Sequence, residues 1–237
     1  MCRLVSSFLL VTAIGLVACG SSGESECTVD ATYDPSVEPS NFTSSTTIDN
    51  PLLPLVPGAT YTYQGGSETI MVSVTNTTKV ILGITCVEVR DTVRVDGEVT
   101  EDTLDWYAQD DEGNVWYMGE DTKEYEGGEV VSTEGSWEAG VDGAKPGIVM
   151  HATQPAIGEP YRQEFYACEA EDFAEVVSLD EDVTVPVGAY TNCLQTREFT
   201  PLEPDVNEYK YYCPDLGLVL EVDVVTDART ELIQVSS

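Results

Sequence analysis

Four residues in one glycine-rich stretch carry the best-placed binding chemistry in this chain. Trp137, Glu138, Asp142 and Lys145 fall within residues 134–147, among Gly135, Gly140, Gly143, Pro146 and Gly147. An indole can stack on a sugar or an apolar ring, and two acids with one ammonium can orient it. The same stretch also reads as a covering loop with Trp137 as its apolar plug, and the sequence leaves both readings open. No strand–glycine–helix context or Gly-Lys-Ser/Thr follows, so this is not a phosphate loop. Asp110, Asp111 and Glu112 form a second cluster. Hard cations want several such oxygens, but the alternating acids and distant Glu of an EF-hand loop are missing. A polar hairpin turn explains the cluster better, and calcium stays a weak candidate.

Catalysis has less support. Glu120, Asp121 and Glu138 are the carboxylates that a glycan-acting enzyme would use first. Such an enzyme needs two of them facing each other across a cleft floored by aromatics. No serine has a Gly-x-Ser-x-Gly context, and His151 is the only histidine, with no partner assigned by spacing. A thiolate or imidazole zinc site is not expected, because no Cys-x-x-Cys occurs. The reading is therefore non-enzymatic, with no cofactor and calcium as the one possible exception.

The elements that must position these groups read as strands. Residues 60–64, 68–74, 87–95 and 99–108 are rich in Val, Thr, Ile and aromatics. Asp96-Gly97, the run Asp111-Glu112-Gly113-Asn114 and Gly127-Gly128 supply turns between such runs. No sustained helical period appears. The chain also repeats itself. Gly58-Ala59-Thr60-Tyr61 resembles Gly158-Glu159-Pro160-Tyr161, and Val80–Gly83 resembles Val185–Gly188. Trp106–Asp110 with Gly113 resembles Tyr211–Asp215 with Gly217. Three landmarks in one order and at nearly one offset predict two related halves, about 58–126 and 158–235. The expected fold is all-β: an antiparallel meander forming a strongly curved sheet or partly closed barrel, with residues 127–157 as connecting loop.

Strand placement also sorts the cysteines. Residues 192–199 and 207–213 read as consecutive strands, and a connection centred near Glu203 sets Cys193 opposite Cys213. A bridge there closes a loop worth roughly 3 kcal/mol in the chain-entropy model. Cys86 lacks that local partner. It can pair with Cys168 or Cys27 or stay a buried thiol, and Cys86–Cys168 is the weak preference.

Composition excludes some partners. The formal charge is −33, from 43 acidic and 10 basic side chains. Nucleic acid needs basic contacts, and anionic headgroups would be repelled. A hydrophobic content of 42% is too high for a disordered chain.

Residues 4–17 form an apolar run behind Arg3, ending in Leu16-Val17-Ala18-Cys19. That tetrapeptide resembles the lipobox of bacterial lipoproteins. The resemblance implies a signal peptide over 1–18, cleavage before Cys19, and acylation of Cys19 on its sulfur and new amino terminus. Several acyl chains together hold firmly, at about 0.8 kcal/mol per buried methylene. Gly20 in place of Asp implies outer-membrane sorting. Residues 19–50 then read as an acidic Ser/Gly/Thr-rich tether, and 51–237 as one β-domain. Two further stretches, Asn50–Tyr63 and Tyr211–Val219, resemble a broad group of exported bacterial β-proteins with no assigned reaction. The combined expectation is a membrane-anchored envelope protein with a binding or structural role, taking a small apolar or glycan ligand or an envelope protein as partner. An acidic calcium-binding surface protein is the alternative.

Overall fold

The computed structural model describes residues 32–237. Over them the chain forms fifteen strands and one 3-10 turn at Pro39–Asn41, and no α-helix. The first half holds β1 (Thr60–Gly65), β2 (Glu68–Ile81), β3 (Ile84–Val95), β4 (Glu98–Gln109) and β5 (Val115–Glu126). β6 (Glu129–Ser132), β7 (Trp137–Glu138) and β8 (Lys145–Met150) follow. The second half holds β9 (Pro160–Arg162), β10 (Glu164–Phe165), β11 (Phe173–Val185) and β12 (Gly188–Phe199). β13 (Asn207–Cys213), β14 (Gly217–Asp223) and β15 (Arg229–Ser236) complete it. Tight turns set the register. Asp96 and Gly97 both take positive φ, 53° and 88°, as a two-residue hairpin turn requires.

All pairing is antiparallel, and its path runs β10-β8-β5-β4-β3-β2-β1-β15-β14-β13-β12-β11-β9. The two halves share this order. β1, β2, β3, β4, β5 and β8 correspond in turn to β9, β11, β12, β13, β14 and β15. The entering turn is built the same way in both. Gly58 N–H donates to the Val74 carbonyl at 2.8 Å, and Gly158 N–H to the Val176 carbonyl at 2.9 Å. Ala59 N–H donates to Val56 and Glu159 N–H to Ala156, each at 3.0 Å. The duplicated landmarks thus mark equivalent corners of one curved sheet.

The sheet almost closes on itself. Its path starts and ends in one short segment, 160–165. β9 pairs with β11 through three residues, while β10 pairs with β8 through two. Gln163, between them, is buried and donates its N–H to the Asp172 carbonyl at 2.9 Å. Segment 160–165 is therefore the seam of a partly closed barrel.

Several expectations need correction. The tether does not extend to residue 50, because Phe42, Ile48 and Asn50 are buried against the sheet. Ser45 donates to the Thr85 carbonyl, Asn50 Nδ2 to the Gly113 carbonyl, and Asp215 N–H to the Pro51 carbonyl. Residues 42–51 thus pack over the end that carries the β2–β3, β4–β5 and β13–β14 turns. Segment 127–157 is not one irregular loop: β6, β7 and β8 all pair with β5.

Cys193 and Cys213 are disulfide-bonded on opposed positions of β12 and β13. Cys86 does not pair with Cys168. It is a free thiol buried in the core, and burial pushes it up to about 12, so it stays protonated and inert. Cys168 is itself disulfide-bonded. Cys19 and Cys27 lie outside the described residues.

The concave face is not uniformly apolar. Along β13, Glu208, Lys210 and Tyr212 are buried, while Tyr209 and Tyr211 on the other face are half-exposed. Asp91, Asp105, Glu120, Glu198 and Glu221 are buried as well. Lys210 Nζ sits 3.4 Å from both Glu198 and Glu221 and 3.8 Å from Glu208, one buried cation among three acids.

Candidate functional site

The four residues singled out in 134–147 do not meet in one pocket. Trp137 is buried opposite Glu120, and its indole N–H donates to Glu164 Oε2 at 2.9 Å. Its ring stands edge-on to Tyr117 at 5.3 Å. Glu138, the next residue, points to the other face and pairs with Lys79 at 2.7 Å. The Lys79 ammonium also lies 3.4 Å from the centre of the Trp106 ring. Asp142 is exposed in a turn at φ 48°. Lys145 binds the N-terminal segment, through the Tyr33 carbonyl and the Asp34 carboxylate at 3.1 Å.

The acidic hairpin is likewise occupied by its own turn. Asp110 Oδ1 accepts the N–H groups of Glu112 and Asn114, and Oδ2 accepts Asn114 Nδ2 and the Trp116 indole. Asp111 Oδ1 accepts the backbone N–H and hydroxyl of Thr43. Glu112 is exposed. Among the described residues, no three His, Cys, Asp or Glu side chains are grouped to hold a metal ion.

A different site lies at the seam. Tyr33, Pro35, Trp116, Ile148, His151, Pro160, Tyr161, Arg162 and Phe173 line an open cleft of about 370 Å³. That volume falls within the range of small-molecule pockets. Five parts of the fold meet here: the N-terminal segment, β5, β8 with the turn after it, β9 and β11. They meet because β8 and β9 border the seam without pairing, which leaves a groove between them.

Aromatic contacts shape the walls. The Arg162 guanidinium lies over Phe173 at 4.3 Å, Phe165 at 4.6 Å and Tyr33 at 5.5 Å, and pairs with Glu171 at 3.4 Å. Its charge is thus spread over these rings and the Glu171 carboxylate. Tyr33 closes one side. Its hydroxyl donates to the Pro146 carbonyl at 2.8 Å, and burial pushes it up to about 12. His151 and Tyr161 meet edge-on at 4.6 Å. Burial lowers the His151 imidazole, so it is neutral near pH 7. Its Nε2 and the Tyr161 hydroxyl are buried without a hydrogen-bond partner among the described residues.

Sequence reasoning missed this cleft for a physical reason. Its rings come from five separate places, and no local spacing groups them. His151 and Tyr161 were visible, one as the lone histidine and one as the repeat landmark, yet nothing local joined them.

No protein-family model matches the chain, and no curated protein matches it. One solved structure is similar in outline: a crystal structure provisionally described as a lipoprotein, from Parabacteroides distasonis ATCC 8503. The likeness covers 81% of this chain and 100% of that chain, at 12% identity and a TM-score of 0.42. A resemblance of that size assigns neither fold nor function.

Proposed function

We propose that this chain is an exported, lipid-anchored bacterial envelope protein that binds a small ring-bearing ligand, apolar or glycan, in the cleft at its seam. The cleft carries the reading: about 370 Å³, walled by Tyr33, Trp116, Tyr161 and Phe173. Rings of this kind offer flat apolar surface to a ligand with little entropy to lose. The reading is one of binding without catalysis. Among the described residues, the titratable groups lining the cleft are two tyrosines, one histidine and one arginine, with no carboxylate pair.

The anchor rests on the Leu16–Cys19 motif. The outward face of the sheet suits a domain held outside the bilayer. It carries the ion pairs Arg90–Asp102, Arg197–Glu175 and Arg229–Glu231, where a membrane-spanning barrel needs an apolar band. No helix among the described residues is long and apolar enough to cross a membrane.

Two measurements test this. Full-length protein expressed with labelled palmitate should incorporate label and sediment with membranes, and Cys19→Ser should abolish both. Purified protein should bind the neutral ring probe N-phenyl-naphthylamine or a methyl glycoside, with Phe173→Ser weakening binding at least tenfold at unchanged circular dichroism. Absence of binding to every such probe favours a structural envelope role instead.

A further inference from the structure

Four cysteines lie among the described residues, and three of them are accounted for. Cys193 is bonded to Cys213, and Cys86 is a free thiol in the core. Cys168 is disulfide-bonded too, so its partner is one of the cysteines that precede residue 32: Cys2, Cys19 or Cys27. Maturation chooses among them. Cys2 leaves with the signal peptide, and the Cys19 sulfur is taken by its lipid. This step rests on the lipid anchor proposed above. Cys27 remains.

The fold puts Cys27 within reach. Six residues after it, Tyr33 is fixed at the seam. The Tyr33 ring stands edge-on to Phe165 at 5.7 Å, and its hydroxyl donates to the Pro146 carbonyl at 2.8 Å. Asp34 pairs with Lys145 at 3.1 Å. Cys168 lies three residues beyond Phe165, exposed, in the turn that Tyr166 and Ala170 close. Its N–H donates to Glu171 Oε1 at 3.0 Å. Six residues of chain span at most about 20 Å, and three about 10 Å. Measured from two rings in contact, those lengths let the two sulfurs meet.

We propose that Cys27 and Cys168 form a disulfide in the mature protein, and that this bond fixes which part of the domain lies nearest the membrane. Each thiol gives up one proton and one electron as the S–S bond forms. A protein disulfide of the exported compartment accepts both pairs and leaves as a dithiol. Cys168 is exposed, so that exchange can reach it. The bond shortens the tether. Counted from Cys19, the first fixed point of the chain becomes Cys27, eight residues on, in place of Tyr33, fourteen residues on. Fully extended, those lengths are about 28 Å and about 50 Å. Cys168 stands in sequence between Arg162 and Phe173, which both line the cleft. The bond thus keeps the cleft near the bilayer surface, whatever the cleft binds.

Disulfide mapping tests the bond. Full-length protein is taken from membranes in detergent, its free thiols are blocked with N-ethylmaleimide, and it is cut with glutamyl endopeptidase without reductant. Cleavage after Glu26 separates the lipid-bearing peptide from Cys27. Mass spectrometry should find a Cys27 peptide joined to a Cys168 peptide, and dithiothreitol should split the pair. A blocked Cys168, or Cys168 joined to Cys19 or to a second chain, overturns the bond. Palmitate labelling of the same sample keeps the two claims apart: a joined Cys27–Cys168 peptide from unlabelled protein upholds the bond while the anchor fails. The membrane placement is read with a specific protease site inserted after Asp30. Cutting there should release at least tenfold more of the domain from membranes with dithiothreitol than without it. Cys27→Ser should remove that difference, so that cutting alone releases the domain. Release of the protein with Cys27 intact by cutting alone overturns the placement.

Discussion

Single buried acids set how this protein responds to pH. Burial pushes Glu101 up to about 8, the Thr103 hydroxyl only partly opposing it. Burial pushes Glu221 up to about 7 against the pull of Lys210. Both start near 4.5 in the unfolded chain. The folded state then binds more protons than the unfolded state between about pH 4.5 and pH 8, so stability falls as pH rises through that window. His151 works in the opposite sense, because its folded pKa is lowered and its contribution is lost in acid. It is one group against several. Thermal melts at constant ionic strength should therefore show the highest Tm near pH 5 and a decline to pH 8. Glu101→Gln should flatten the upper part of that decline. A Tm that is flat or rises from pH 5 to pH 8 would contradict this account. These acids were invisible in the sequence as interior groups. Alternation in Asn207–Cys213 shows that Glu208, Lys210 and Tyr212 share a face. It does not show which face is concave, and polarity points the wrong way, because here the acids face in and Tyr209 and Tyr211 face out.

At the scale of elements, the seam is the part of the fold with least backbone to hold it, so it depends on close approach. Gly147 in β8 is where that approach is tightest. A Cβ there would lie 2.3 Å from the Gln163 carbonyl carbon and 2.6 Å from the Arg162 carbonyl oxygen. Those are backbone atoms, which cannot rotate aside. Gly147→Ala should therefore push β8 away from segment 160–165 and cost about 1–3 kcal/mol, as overpacking does. Urea unfolding measures it, and an unchanged midpoint would show that the seam yields freely. Much of the element order could be read from the chain. The Asp96-Gly97 turn, the Gly58/Gly158 corners and the opposition of Cys193 to Cys213 each rest on local geometry. The seam could not be read, because it joins β8 to a segment defined by what pairs on its other side. Trp137 was misplaced for a related reason. Its neighbours Gly135 and Gly140 look like loop residues, yet Trp137-Glu138 is a two-residue strand whose role is set by β5, far from it in sequence.

Across the whole molecule, the acid excess acts as a field. With 43 acids against 10 bases, compaction brings like charges closer on the surface as well as inside. Self-repulsion of this kind is screened over about 10 Å at 0.1 M salt. Raising sodium chloride from 10 mM to 300 mM should therefore raise the Tm at pH 7. Calcium separates this general field from a specific site. Two of the three acids first suspected of binding it are already engaged: Asp110 accepts four donors, and Asp111 holds Thr43. Calcium at the ionic strength of a matched sodium solution should then give no more than the sodium shift. A larger shift, saturating at low millimolar calcium, would show that surface acids gather around the ion after folding and would restore the cation-binding reading. The same field bears on the anchor. A domain that repels anionic headgroups gains nothing from electrostatic docking, so if Cys19 is acylated, the lipid alone must hold it. Release of the Cys19→Ser protein from membranes should then be complete at both low and high salt.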